Sequence, residues 1–460
     1  MRDVVVLLPG ITGSVLRKDG RDVWAVSMPA AFGALASLGR NLQALAVPAD
    51  APLDDDGGVT APRLMPDVHI VPGLWRIDGY TRIAEAIRRT FDVRPRENFF
   101  EFPYDWRRDN RVAAHRLAGA SRRWLRDWRE RSGNQHAKLI LVAHSMGGLV
   151  ARYFLEPLDG WRSARMLVTF GTPYRGSVNA LDFIANGMRK QLGPVTVVEL
   201  TNLLRSFDSV YQLLPIYPCL DLGDGPLLRI AEATGVPGLD RGRAAAALGF
   251  HREIAQAVQS HERDQAYLDG RYSIHPIVGT FQPTLQSARL RGGLLEVLAT
   301  LAGEDQDGDG TVPRVSATPL ELSGQRREIY VANRHASLQN SESTLVQLVG
   351  LLADVDLDLS AYYGPRLRLG LDVDDAFATG EPVSVRAKPE DEGGTLRAAV
   401  ADAVTGELRA QAPLRPDVDG WWSAQLGPFA EGSYRVTVWG DGAVEPVSDV
   451  FAVLHERPAR

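Results

Sequence analysis

The first residues able to do chemistry are a serine and the small residues around it. In Lys138-Leu139-Ile140-Leu141-Val142-Ala143-His144-Ser145-Met146-Gly147-Gly148, an apolar run ends at Ser145, with Ala143 two positions before it and Gly147 two after. This is the G-x-S-x-G spacing with Ala in the first small position, the mark of a tight strand-to-helix turn that lifts the serine to its apex. A serine hydroxyl attacks an ester only when a base removes its proton, and that base needs a carboxylate to fix its tautomer. Downstream lie Asp305-Gln306-Asp307-Gly308-Asp309-Gly310-Thr311-Val312-Pro313 and then Asn333-Arg334-His335-Ala336. His335 is read as the base and Asp309, in preference to Asp307, as the acid. The same aspartates open like a calcium loop, but its twelfth position is Ser316 where a bidentate Glu should stand, so the calcium reading is set aside. No metal and no other cofactor is called for.

The order Ser145, acid, His335 is that of α/β-hydrolases. Acyl transfer also requires donors for the oxyanion, usually the N–H after the nucleophile and one from the loop after an early strand. Met146 offers the first. Pro9-Gly10-Ile11-Thr12-Gly13-Ser14 offers the second, through the Thr12 N–H; a phosphate loop is excluded there because Gly-Lys-Ser/Thr is missing.

These residues need elements to position them. Short apolar runs at residues 4–8, 99–102, 139–143, 166–170, 274–279 and 328–332 read as strands. Residues 80–90, 112–131, 146–155 and 343–352 carry apolar positions at three- and four-residue spacing and read as helices. Strand–helix alternation predicts an α/β fold with a mostly parallel sheet covered on both faces. Two insertions interrupt it, at about 25–72 and 180–272; the second has helical patterns and no strong strand, and both read as cap or lid segments. Its apolar stretches 200–204 and 213–218 read as a buried cap core, with a lipid-sized pocket as the competing reading. Beyond about 366 the pattern changes to period-two strands between Gly, Pro and Asp turns, an Ig-like β-sandwich signature. The expected division is a catalytic domain at 1–365 and an accessory sandwich at 366–460, with Trp421 and Trp422 read as core.

With these pieces assembled, the chain resembles the lecithin:cholesterol acyltransferase family, which includes phospholipid:diacylglycerol acyltransferase and lysosomal phospholipase A. Five matches occur in family order: residues 6–14, Tyr104-Asp105-Trp106-Arg107, Ala143 to Gly148, Phe170-Gly171-Thr172-Pro173-Tyr174-Arg175-Gly176-Ser177, and Asp307 to Pro313 with His335. The resemblance covers about residues 3–355. It implies an α/β-hydrolase core with a helical cap, Ser145 attacking an acyl ester, Asp309 and His335 completing the triad, and Thr12 with Met146 as the oxyanion hole. It also suggests that Asp105, Trp106 and Arg107 form part of the substrate-site wall, against a reading in which Trp106 only stacks within a structural Arg–Asp cluster. The disulfides and signal peptides of secreted family members have no counterpart here, and the C-terminal sandwich lies outside the pattern.

Composition bounds the partners. The 460 residues are 45% hydrophobic and 23% charged, which is globular, and the net charge of −6 leaves no basic footprint for nucleic acid. The one cysteine, Cys219, sits in an apolar run and reads as a structural thiol in a reducing compartment. Residues 4–8 read as a first strand rather than an export signal, since Pro9-Gly10 cuts the apolar run short. The expectation is a soluble, cytoplasmic serine esterase or lipase acting on a lipid or acyl-ester substrate, with hydrolysis preferred to acyl transfer. Peripheral membrane contact by the inserts is left open. So is a protein partner at the acid-rich C-terminal domain, which underlies the rival reading of a partner-controlled, membrane-damaging phospholipase. A non-catalytic scaffold is the remaining rival.

Overall fold

Five consecutive apolar residues can form a strand only where both faces of a sheet are covered, and Val4–Leu8 (β1) is fully buried throughout. It joins Phe99–Glu101 (β2), Leu139–His144 (β3), Ala164–Phe170 (β4), Ser273–Gly279 (β5) and Ile329–Val331 (β6) in one six-stranded sheet of order β6-β5-β4-β3-β1-β2. Every pairing in it is parallel. The computed structural model describes residues 1–25, 45–47, 57–66, 69–71, 75–187, 189–192, 195–223, 225–323, 328–353, 368–390, 394–440, 444 and 446–454.

Strand alternation divides the core into two layers. Val4, Val6 and Leu8 face a cluster that includes Leu117 of helix α2 (Asn110–Ser132) and Leu149 of α3 (Gly147–Leu155). Val5 and Leu7 face another, with Ile83 and Ile87 of α1 (Thr81–Thr90) and Leu348 and Leu352 of the helix Glu342–Ala353. The result is an α/β sheet with helices on both faces, in the parallel arrangement of α/β-hydrolases, and Ser145 leaves the end of the inner strand β3.

The first insertion lies largely outside the described residues. The second departs from the expectation of helices alone. It holds helices at Val178–Ala185 (α4) and Arg241–His261 (α5), but also an antiparallel hairpin of Arg189–Leu192 with Val195–Glu199, and Leu220–Asp221 pairs with Ser287–Arg291. The hairpin has a local cause: Gly193-Pro194 precedes the β-branched run Val195-Thr196-Val197-Val198. Leu200, Leu204 and Leu214 belong to the buried core, which favours the cap-core reading.

The expected boundary at 365/366 falls outside the described residues. Beyond it, Leu369–Val373 (β7), Ala376–Ala378 (β8), Val383–Pro389 (β9), Leu396–Asp402 (β10), Leu408–Pro413 (β11), Arg415–Pro416 (β12), Trp422–Leu426 (β13), Gly432–Gly440 (β14) and Val447–Leu454 (β15) form two sheets. Their orders are β7-β9-β13-β12 and β8-β15-β14-β10-β11, antiparallel except for the parallel pair β8 and β15. One apolar core, with Val385, Val436 and Phe451, joins them. Trp422 packs against that core, whereas the guanidinium of Arg386 covers the ring of Trp421 at 4.8 Å. Strand β15 is covered on its other face too, since Val450 and Ala452 are fully buried outside that core. It runs against the short helix His335–Asn340.

Candidate active site

The turn after β3 places Ser145 at φ +51°, a left-handed conformation that costs a non-glycine residue on the order of 1–3 kcal/mol. Neighbouring chain holds it there: the Ser145 N–H donates to Phe170 O at 2.8 Å, and Thr172 Oγ1 donates to Ser145 O at 2.9 Å. The small residues are a steric requirement. A Cβ on Gly147 would stand 2.4 Å from Pro9 O, and one on Gly148 would stand 2.1 Å from Thr172 Oγ1. The loop after β1 crosses equally closely, since a Cβ on Gly10 would meet the Ser145 Cβ at 2.8 Å.

His335 follows β6 and brings its ring between two side chains. Its Nε2 is 2.9 Å from Ser145 Oγ and its Nδ1 is 2.7 Å from Asp309 Oδ2. An ionised carboxylate only accepts, so Nδ1 carries the proton and Nε2 accepts from the serine hydroxyl. The other oxygen of Asp309 accepts from the N–H groups of Thr311 (2.9 Å) and Val312 (2.6 Å), and the His335 N–H donates to Asp309 O at 2.8 Å. Asp307 is turned elsewhere: its Oδ1 accepts from the N–H groups of Phe281 and Gly308. Asp305 is likewise engaged, by Gln286 Nε2 and the Asp307 N–H, so the three aspartates do not converge on a cation position. Among the described residues there is no cluster of His, Cys, Asp or Glu able to hold a metal.

A second histidine, which the sequence reading left unused, fixes the frame. His144 Nε2 is 3.2 Å from His335 O, and its Nδ1 is 2.9 Å from Tyr80 Oη. A carbonyl only accepts, so Nε2 donates and Nδ1 accepts from the tyrosine; Tyr80 Oη in turn accepts from the Gly10 N–H at 2.8 Å. Burial, with the neighbouring His335 adding to it, holds the His144 pKa well below the ordinary value, so the ring stays neutral as this chain requires. The relay joins the loop after β1, the serine turn and the histidine loop. His144 stands inside the serine motif, but only the fold brings Tyr80 to it.

Ser145, His335 and Asp309 open on a cavity of about 210 Å³. Ile11, Phe183 and Leu213 supply apolar wall, and Asp375 and Asp449 reach it from the C-terminal sheets. A larger cavity of about 530 Å³ lies between α1, the His335–Asn340 helix and those sheets; it includes none of Ser145, His335 and Asp309. Met146 stands at the start of α3, where N–H groups lack intrahelical acceptors. Thr12 adopts φ +61° in the adjoining loop. Among the described residues neither N–H donates to a protein group, and the buried Thr12 Oγ1 has no partner.

Asp105, Trp106 and Arg107 are not among the described residues that line this cavity. Asp105 and Arg107 form a buried bidentate pair at 2.7 and 2.8 Å, and a third guanidinium donor reaches Leu45 O. Trp106 donates to Ser14 O at 3.0 Å and meets Trp24 and Phe207 edge-on. Trp106 thus ties the segment to the loop after β1, while Asp105 and Arg107 are engaged with each other and with Leu45 O. Cys219 is buried with its thiol pushed up to about 12 by desolvation, and it stands apart from the cavity.

Residues 76–228, which contain the serine turn and the Tyr104–Arg107 segment, match the family described as lecithin:cholesterol acyltransferase. Over these residues, about a third of its length, the chain is similar to that family. The chain is 31% identical over 118 residues to human lysosomal phospholipase A and acyltransferase, covering 25% of this chain and 27% of that protein. It is 28% identical over 169 residues to the uncharacterized protein YJR098C of Saccharomyces cerevisiae, covering 37% of this chain and 23% of that protein. It thus matches about a quarter of the length of these curated relatives. Among solved structures, the mature form of Bacillus licheniformis lipase BlEst2 is 14% identical, with 76% of this chain and 91% of that chain covered at a TM-score of 0.31.

Proposed function

We propose that this chain is a serine esterase or lipase that removes a fatty-acyl group from a lipid ester through an acyl-enzyme. His335 Nε2 takes the Ser145 proton as Oγ attacks the ester carbonyl, and the Met146 and Thr12 N–H groups receive the oxyanion. As the tetrahedral intermediate collapses, the imidazolium returns its proton to the leaving alcohol, with Asp309 stabilising the charge on the ring. Water, activated by the same imidazole, then hydrolyses the acyl-enzyme; an acceptor alcohol in its place makes the enzyme an acyltransferase. Hydrolysis is the preferred outcome.

The reading is carried by the hydrogen-bonded line from Ser145 Oγ through His335 to Asp309, opening on a partly apolar cavity. Purified protein is expected to hydrolyse nitrophenyl esters, and the optimum across acetyl to palmitoyl chains reports the pocket's depth. Ser145→Ala should lower kcat on the order of 10⁶-fold. Undiminished hydrolysis by Ser145→Ala would overturn the reading.

We further propose that the C-terminal sheets form an Ig-like accessory domain. Besides the two sheets around one core, the support is Tyr434, whose hydroxyl donates to Ala430 O at 2.9 Å, four residues upstream, in the manner of a tyrosine corner.

A further inference from the structure

The two loops that carry Asp309 and His335 are both fastened to the C-terminal sheets. Arg334, immediately before His335, is 9% exposed, and its guanidinium donates to Leu371 O of β7. The same group lies 3.4 Å from Asp449 Oδ2 of β15, a carboxylate with no solvent exposure, and 3.9 Å from Asp372 Oδ1. The acid loop is tied to the same strand. Gln282 pairs with it through its N–H, which donates to Gly308 O at 3.0 Å. The Gln282 side chain then bonds β7 twice: Nε2 donates to Leu369 O at 3.0 Å, and Oε1 accepts from the Leu371 N–H at 3.1 Å. One strand therefore sets the spacing of two loops, and Asp449 and Asp375 also wall the cavity that holds Ser145.

We infer that the C-terminal sheets complete the active site: β7 and Asp449 clamp Arg334 and Gln282 and so hold His335 in register with Asp309 and Ser145. Arg334, Asp449 and Gln282 are positioning residues for the acyl transfer. The inference rests on the reading above for its chemistry, but the clamp itself is a property of the packing. Charge gives it a signature that loosened structure lacks. The charged and titratable groups around His335 are Asp309 on its own loop's partner, His144 on the serine turn at a ring separation of 5.1 Å, Arg334, and Asp449 and Asp375 from the C-terminal sheets. Arg334 and Asp449 offset each other. Removing the cation leaves a carboxylate near the ring and favours the imidazolium; removing the carboxylate leaves a cation that disfavours it.

The test uses the full-length chain and the pH profile of kcat for a nitrophenyl ester. Arg334→Ala is expected to lower kcat about 10- to 100-fold with little change in KM, because displacements on the order of 1 Å at a reacting group cost about that much. Its acid limb should move to higher pH, and that of Asp449→Asn to lower pH, each by on the order of half a unit or more. Arg334→Lys keeps the charge without the fork, so kcat falls while the limb stays in place. A fraction of misfolded protein lowers the whole profile without moving its limb. Wild-type kcat in both variants, or equal losses with unmoved limbs, would overturn the clamp. Hydrogen exchange over 307–313 and 335–340 gives a readout independent of Ser145: it should quicken in both variants, and unchanged exchange would sink the clamp even if the serine reading also failed. Activity lost in Ser145→Ala beside wild-type behaviour in both clamp variants would leave the serine reading standing and remove the clamp alone.

Discussion

Helix α3 runs between two histidine–carboxylate constellations, one buried and one partly exposed. On one side His335 lies 2.7 Å from Asp309; on the other His261 lies 2.8 Å from Glu156. Glu156 also accepts from Tyr267 Oη (2.9 Å) and Tyr272 Oη (2.7 Å) and pairs with Arg152, which reaches Glu321 as well. The difference lies at the far nitrogen. His335 Nε2 faces a serine hydroxyl beside open volume, whereas His261 Nε2 faces a second carboxylate, Asp159, at 3.1 Å. Neither ring nitrogen of His261 meets a proton it could take. A histidine–carboxylate pair is thus a structural strut until one end is left to a reactive group and a space where a substrate fits.

Paired substitutions sharpen that contrast. Asp309→Asn should reduce kcat on the order of 10⁴-fold at nearly unchanged stability, because the imidazole loses its tautomer and orientation. Asp307→Asn should stay within a few-fold of wild type; the reverse ranking, measured on the same ester, would reassign the acid. At the far end of α3, Glu156→Gln should leave kcat of the folded enzyme intact but cost about 1.5–3 kcal/mol in urea denaturation, since Arg152 keeps Glu321 but loses its fully buried carboxylate partner. If Glu156→Gln instead abolished turnover at wild-type stability, the contrast would fail.

Tyr80→Phe is expected to act between these extremes. It removes the donor to His144 and the acceptor for the Gly10 N–H, costing about 1–3 kcal/mol of stability with a smaller fall in kcat. A neutral buried histidine acts on stability alone, with no expected change in kcat. Desolvation lowers His251 to about 4 from 6.5, and its ring is engaged with Gln212 O. The unfolded chain therefore binds the extra proton first as pH falls below 6.5. The stabilisation is complete above that value and is lost by about 1.4 kcal/mol per pH unit down to about 4. Urea midpoints at pH 7 and 5 should separate less in His251→Gln than in wild type; equal separations would remove His251 from the account.

Much of this was legible in the amino acids because local sterics wrote it there. The run Leu139–Val142 forms an inner strand, and Gly147 and Gly148 are small because Leu8, Pro9 and Thr172 stand against them. The lecithin:cholesterol acyltransferase resemblance was legible for the same reason, since its motifs are turns. What stayed hidden depends on partners distant in sequence. Trp106 and Arg107 allow either a wall or a structural reading in sequence, because Ser14 and Leu45, which receive them, lie far along the chain. Tyr80 carries no motif, and nothing in the sequence marks Arg334, whose partners lie on β7 and β15. The hairpin after α4 had a turn signal, Gly193-Pro194, that the surrounding helical pattern masked.

The sheet order carries a consequence for synthesis. A ribosome delivers β1, the serine turn and α3 long before His335, and the strands that grip Arg334 later still. Ser145 thus emerges without a base and, for a further hundred-odd residues, without the groups that seat one. On the proposed reading, a chain interrupted before these strands would carry the serine without its seated base, and the proposed activity would arrive with the C-terminal sheets rather than with the nucleophile.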